Sequence, residues 1–176
     1  MIFVPTPLAG AFVVDLKRIE DDRGFFARSF CRDEFCKHDL NPDVAQCNVS
    51  FNPKRGTLRG MHYQADPHAE DKLVRCTQGA IWDVIVDLRT QSPGYKQWFG
   101  VELSAASRRA LYVPKGFAHG FQALADGTEV LYMMSVPYHA DSARGVRWDD
   151  PAIGIEWPIE SPAMSDMDRS YAFLVG

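Results

Sequence analysis

Short runs rich in Val, Ile, Phe, Tyr and Trp recur along this chain, and none outlasts a single strand. A-F-V-V-D-L, G-F-F-A-R-S-F, L-V-R-C-T, A-I-W-D-V-I-V-D-L, Q-W-F-G-V-E-L, A-L-Y-V-P, G-F-Q-A-L and E-V-L-Y-M-M-S-V are separated by N-P, P-K-R-G, Q-G, S-P-G and D-G. Those separators are turn chemistry, and the spacing predicts an all-β sandwich or barrel of many antiparallel strands. Only F-C-R-D-E-F-C-K-H-D-L looks helical, its short stripe running through Phe30, Glu34, Phe35 and Cys36, while W-P-I-E-S-P at 157–162 is punctuated by prolines. No repeat, low-complexity tract or linker interrupts the pattern, so residues 1–176 are expected to form one domain.

Composition excludes several classes. With 46% hydrophobic and 24% charged residues the chain has the balance of a globular protein. A net charge of −4 argues against nucleic acid or an anionic membrane as partner, although a local basic cluster can still hold a small anion. No apolar run approaches the roughly 20 residues of a membrane-spanning helix, and M-I-F-V-P-T-P-L lacks a basic signal-peptide start. The expected location is therefore cytoplasmic. Cys31, Cys36, Cys47 and Cys76 have neither C-x-x-C spacing nor disulfide-scaffold density, and are expected to be free, mostly buried thiols.

The titratable residues sit inside these runs. In L-R-G-M-H-Y-Q, strict alternation sends Leu58, His62 and Gln64 to one face and Arg59, Met61 and Tyr63 to the other. An inward histidine taken alone is more often a core residue than a catalyst. A second polar series shifts that balance. Asp83 and Asp87 alternate with the apolar face of Trp82, Val84, Val86 and Leu88, and Lys72 shares a face with Val74 and Cys76. Charged groups among apolar neighbours need partners, unless Asp87 and Arg75 simply line a solvated face. P-K-G-F-A-H-G-F adds His119, and E-V-L-Y-M-M-S-V-P-Y adds Tyr132 and Tyr138. His, Lys, Tyr and Asp in one β-barrel fit a site that moves protons beside a carbonyl.

Further stretches carry a resemblance. D-D-R-G-F-F, Q-C-N, R-G-T-L-R-G-M-H-Y-Q, K-L-V-R-C, the 79–89 stretch ending D-V-I-V-D-L-R, P-K-G-F-A-H-G-F and R-G-V-R-W-D-D-P-A-I-G-I-E-W-P resemble, in order from about residue 10 to 158, the dTDP-4-dehydrorhamnose 3,5-epimerases. The resemblance implies a cupin-type jelly roll with short peripheral helices and a homodimer that exchanges N-terminal strands. It also implies epimerisation at C3, C5 or both of a nucleotide-linked 4-keto-6-deoxyhexose, with no metal or other cofactor. By the same resemblance His62 is the base, Tyr132 the acid on the opposite face, and Lys72 the group at the enolate oxygen. The carboxylate behind His62 matches Asp168 best, with Asp83 and Asp166 as rivals, and Tyr138 matches a second tyrosine of the site. Arg23, Arg59, His119, Gln46 and Asn48 match the positions that hold the nucleotide diphosphate, a task suited to arginine's planar fork. Alternation points Arg59 away from His62, so either Gly60 marks a bulge or Arg59 serves a neighbouring pocket. Two departures stand out: Arg28 occupies the place of a substrate-contacting carboxylate, and Met167 that of a basic residue.

Two other readings remain. P-K-G-F-A-H has the P-x-G-x-x-H form of a metal cupin's second motif. The first motif would then need a second histidine where this chain has Gln64, and His68 in P-H-A-E is a weak substitute. A sugar-nucleotide-binding protein without catalysis would be favoured by the absence of His62 or Tyr132, and both are present.

Overall fold

The computed structural model describes residues 1–160 and 162–174. The strands are β1 (Ile2–Pro5), β2 (Phe12–Asp15), β3 (Arg18–Asp21), β4 (Gly24–Ala27), β5 (Gln46–Asn52), β6 (Leu58–Gln64), β7 (Lys72–Gln78), β8 (Ala80–Asp87), β9 (Trp98–Ser104), β10 (Ala110–Val113), β11 (Phe117–Ala123), β12 (Thr128–Met134) and β13 (Ala143–Gly145). One sheet runs β1-β2-β10-β7-β12-β5 and a second β13-β6-β11-β8-β9, every pair antiparallel, while β3 and β4 form a separate hairpin. This is the expected all-β jelly roll.

The main core lies between the sheets. Val74, Leu111 and Val130 of the first meet Ile81, Ile85, Leu103, Phe117 and Phe121 of the second. Both sheets are also covered outside: Phe35 and Leu40 pack on Val14, Leu73 and Tyr112, while Val146 and Ile153 pack on Met61, Val84 and Val86. Coverage on both faces explains why all of β11 is buried, and why the runs read as nearly continuous apolar stretches. In β8 the alternation holds. Ile81 and Ile85 face the main core and Trp82, Val84 and Val86 the outer cluster, and Asp87 is buried against Arg89 rather than lining a solvated face.

The register of β6 does not follow simple alternation. His119 lies opposite His62 but Phe121 lies opposite Arg59, so β6 carries one extra residue. Gly60 takes it up at φ +135°, where an added Cβ would stand 2.5 Å from the Gly120 Cα. The bulge turns Arg59 to the same face as His62, which removes the need for a separate Arg59 pocket. It also corrects the placement of Leu58, which pairs with Gln122 and so shares Trp82's side of the sheet, away from His62.

Other expectations need adjustment. α1 (Arg32–Cys36) forms where expected and buries Phe35, but a second helix, α2 (Asp166–Ser170), was not foreseen. It is one turn long and lacks an apolar stripe. Its sequence signal is Ser165, whose hydroxyl caps the Asp168 amide, followed by acidic residues in the first turn. All four thiols are free, but only Cys76 is buried, while Cys36 and Cys47 are exposed and Cys31 is intermediate. Burial pushes the Cys76 thiol up to about 11, so it stays protonated at neutral pH.

Gly60→Ala forces a side chain into positive φ and against backbone. It is expected to lower stability by about 2 kcal/mol or more, read as a fall in the urea midpoint at unchanged m-value. A variant unfolding at the wild-type urea concentration would show that the two strands do not need this approach.

Candidate active site

A cavity of about 380 Å³ opens between the two sheets. Its floor comes from both. The first sheet contributes Asn48 and Ser50 from β5, Lys72 from β7 and Tyr132 from β12, and the second contributes Arg59, His62 and Gln64 from β6 with His119 from β11. His62 and Tyr132 therefore enter from facing walls. Tyr138, Arg144, Met167 and Tyr171 line its remaining edge.

His62 Nε2 stands 2.6 Å from Asp168 Oδ1. Of the three carboxylates considered from sequence, Asp168 is the one against His62. Asp83 instead pairs with His119 at 2.7 Å, and Asp166 is exposed. Burial pushes the Asp168 carboxyl up, but the hydrogen bond and charge of His62, the Gly60 backbone and the Ser165 hydroxyl together hold it below the ordinary aspartate value. Burial pushes the Tyr132 phenol well above its ordinary value, with the nearby Asp83 carboxylate adding to the effect, so it is an un-ionised donor at neutral pH. The Lys72 ammonium sits 2.9 Å from Glu70 Oε1, and both groups are nearly buried. Arg59 donates from Nε to Asn52 Oδ1 at 2.8 Å.

Not every expected residue reaches the cavity. Asn48, Arg59, His119 and Tyr138 line it, whereas Gln46 stands behind it and accepts from the Tyr138 amide at 2.9 Å. Arg23 sits at the tip of the β3–β4 hairpin, exposed and paired with Asp21, and Arg28 pairs with Glu34 on the surface. Within one chain, neither approaches the other candidates. Sequence reasoning missed Glu70, Arg144 and Tyr171. Glu70 lies in a connection with no strand period to orient it, and Tyr171 reaches His62 only because the chain returns after α2, with ring centroids 5.9 Å apart.

Both imidazoles give Nε2 to a carboxylate, and among the described residues no three His, Cys, Asp or Glu converge to hold a metal ion. What is assembled is a set of proton-handling groups: an imidazole backed by a carboxylate, a neutral phenol on the facing wall, and an ammonium beside them.

The family described as dTDP-4-dehydrorhamnose 3,5-epimerase matches residues 5–175. The chain belongs to this family. The dTDP-4-dehydrorhamnose 3,5-epimerase of Sinorhizobium fredii is 42% identical over 171 residues, covering 97% of this chain and 88% of the relative. The crystal structure of the Bacillus anthracis dTDP-4-dehydrorhamnose 3,5-epimerase with TDP and PPi bound superposes with a TM-score of 0.94 at 43% identity, over 98% of this chain and 99% of that one. ChmJ, a 3'-monoepimerase from Streptomyces bikiniensis solved with dTDP-quinovose, superposes at 0.88 with 32% identity, over 96% and 86%. The chain is thus an isomerase of the epimerase class with a cupin-type jelly roll.

The depressed Asp168 value has a consequence for this epimerase. Its contribution to stability is present above an unfolded aspartate's pKa of about 3.9 and lost as pH falls through the lower folded value. His62→Ala removes the hydrogen bond and charge that do most to hold the Asp168 carboxyl down. The Asp168 carboxyl, followed by 13C NMR, is therefore expected to titrate at higher pH in that variant than in wild type, and a titration that does not move would contradict the pairing.

Proposed function

We propose that this chain epimerises a dTDP-linked 4-keto-6-deoxyhexose at C3 and C5, with His62 as base, Tyr132 as acid and Lys72 at the keto oxygen. The observation that carries the proposal is the placement of the Asp168-backed imidazole and the neutral phenol on facing walls of one cavity. Inversion at carbon needs a group on each face of the sugar ring. A proton next to a ketone becomes removable when the enolate oxygen is met by a cation or donor. Asp168 accepts the Nε2 proton of His62, which leaves Nδ1 with the lone pair that takes the carbon-bound hydrogen. Tyr132 then delivers a proton from the other side. Arg59, with Asn48 and His119, holds the diphosphate. The substrate class rests on the dTDP, TDP and PPi named with the related structures.

A narrower reading, epimerisation at C3 alone, is favoured by the likeness to ChmJ. Incubation with dTDP-4-keto-6-deoxyglucose in deuterated water separates the two by counting deuterons gained at C3 and C5. Deuterium at neither carbon would remove the proposal. His62→Asn is expected to abolish exchange at both positions. Tyr132→Phe is expected to keep wash-out through His62 but lose net inversion by about two to four orders of magnitude, the worth of a positioned general acid. Wild-type inversion in Tyr132→Phe would assign the acid to Tyr138 or water.

The same reading includes a cytoplasmic homodimer. The β3–β4 hairpin leaves Ile19 68% and Phe26 73% exposed, and β5, the outer strand of its sheet, exposes Val49 and Phe51. Such surface is expensive to leave in water and open strand edges invite pairing. Packing of this hairpin against a second copy covers it and carries Arg23 and Arg28 toward the partner's cavity. Sedimentation of wild type as a two-chain particle and of an Ile19→Glu/Phe26→Glu variant as one chain is the expected result. A wild-type monomer that retains full activity would refute it.

A further inference from the structure

Gln64 lies two residues beyond His62, buried at 4% exposure, and has no part in the proton transfers. Its amide nonetheless binds four groups from two segments, 68–70 and 137–139. Nε2 donates its two hydrogens to Glu70 Oε2 and His68 O, each at 3.0 Å, with Pro137 O sharing one of them at 3.3 Å, while Oε1 accepts from the His139 amide at 2.6 Å. Chemistry fixes which end is which, since the His139 N–H can only donate and the other three can only accept in these bonds.

Two of these partners flank a cavity residue and a third holds one. Pro137 and His139 bracket Tyr138, whose own amide is tied to Gln46. Glu70 holds Lys72 through its other oxygen at 2.9 Å. We infer that Gln64 is the positioning residue of this site, fixing the Lys72 ammonium through Glu70 and the Tyr138 segment through the flanking backbone. This role rests on the epimerase reading above and extends it. A buried donor lost here leaves a carboxylate short of a partner, and the carboxylate then relaxes toward its remaining one, Lys72. An ammonium drawn away from the keto oxygen weakens enolate stabilisation while leaving the distant diphosphate contacts alone. The effect should therefore fall on kcat.

The test is steady-state kinetics with dTDP-4-keto-6-deoxyglucose on Gln64→Met, Glu70→Gln and the double variant, with folding checked by circular dichroism. Gln64→Met is expected to lower kcat about 10- to 100-fold, the usual range for groups that orient a reacting side chain, with KM changed less than about threefold. Because both residues act through Lys72, the double variant should lose much less than the product of the two single losses. Independent, multiplicative losses, or a rise in KM at constant kcat, would overturn the role. Should Gln64→Met not fold, Glu70→Gln keeps every backbone bond of the amide, and an unchanged kcat there would overturn it equally. Wild type that gains no deuterium overturns the epimerase reading and this role with it. Wild-type turnover alongside an unimpaired Gln64→Met overturns this role alone.

Discussion

The contact between Gly60 and Gly120 determines what the second sheet can present to the cavity. Side chains on a strand alternate, so Arg59 and His62, three positions apart, belong on opposite faces. One extra residue in β6 brings them together, and it fits because neither glycine carries a Cβ where the strands cross. The bulge glycine has a second task, since its backbone also supports the Asp168 carboxylate. A local backbone irregularity thus decides both which side chains enter the cavity and how the carboxylate behind His62 is held. This is the behaviour expected of a bulge next to a working site.

Charge balance is the next constraint. His62, His119, Lys72 and Glu70 line the cavity, with Asp168 and Asp83 set behind the two imidazoles, and each pair His62–Asp168, His119–Asp83 and Lys72–Glu70 lies within 3 Å. Buried ion pairs seldom repay their desolvation in stability, so six ionisable groups in one small space are poorly explained as structural reinforcement. They are better explained as a preorganised set of dipoles and charges around a reacting molecule, whose orientation costs nothing further when it binds. Arg59 differs in kind. Its partners are the neutral Asn52 amide and a backbone carbonyl, so its charge is oriented without being cancelled, which suits an anionic ligand.

Alternation in β8 made the inward series of Ile81, Asp83, Ile85 and Asp87 legible from sequence, and turn chemistry marked most strand ends. The same rule misplaced Leu58, because Gly60 reads equally well as a strand residue until its positive φ is known. Asp168 was reachable only through family resemblance. It meets His62 across 106 residues, on a single helical turn that carries no apolar period. Glu70 and Gln64 were illegible as a pair for a related reason: hydrogen bonds between a strand and the connection that follows it leave no periodic trace. Arg23 and Arg28 show a further limit. Motif matching placed them at a substrate, yet their hairpin stands apart from the cavity in a single chain, so any such contact depends on a neighbour that sequence spacing does not describe.

The two imidazole–carboxylate pairs are not equivalent, and exposure distinguishes them. The His62 side chain is 40% exposed while Asp168 behind it is 6% exposed, so the ring reaches the open space and its partner anchors it from inside. His119 and Asp83 are 4% and 0% exposed, and Asp83 keeps one oxygen without a hydrogen-bond partner. An imidazole that trades protons with a carbon acid must meet both the substrate and, between turnovers, a route to water. His62 satisfies both conditions, whereas His119 lines the cavity but is too deeply set to have the route to water. The deeper pair stands beside the Tyr132 phenol, where the Asp83 carboxylate adds to burial in keeping the hydroxyl protonated.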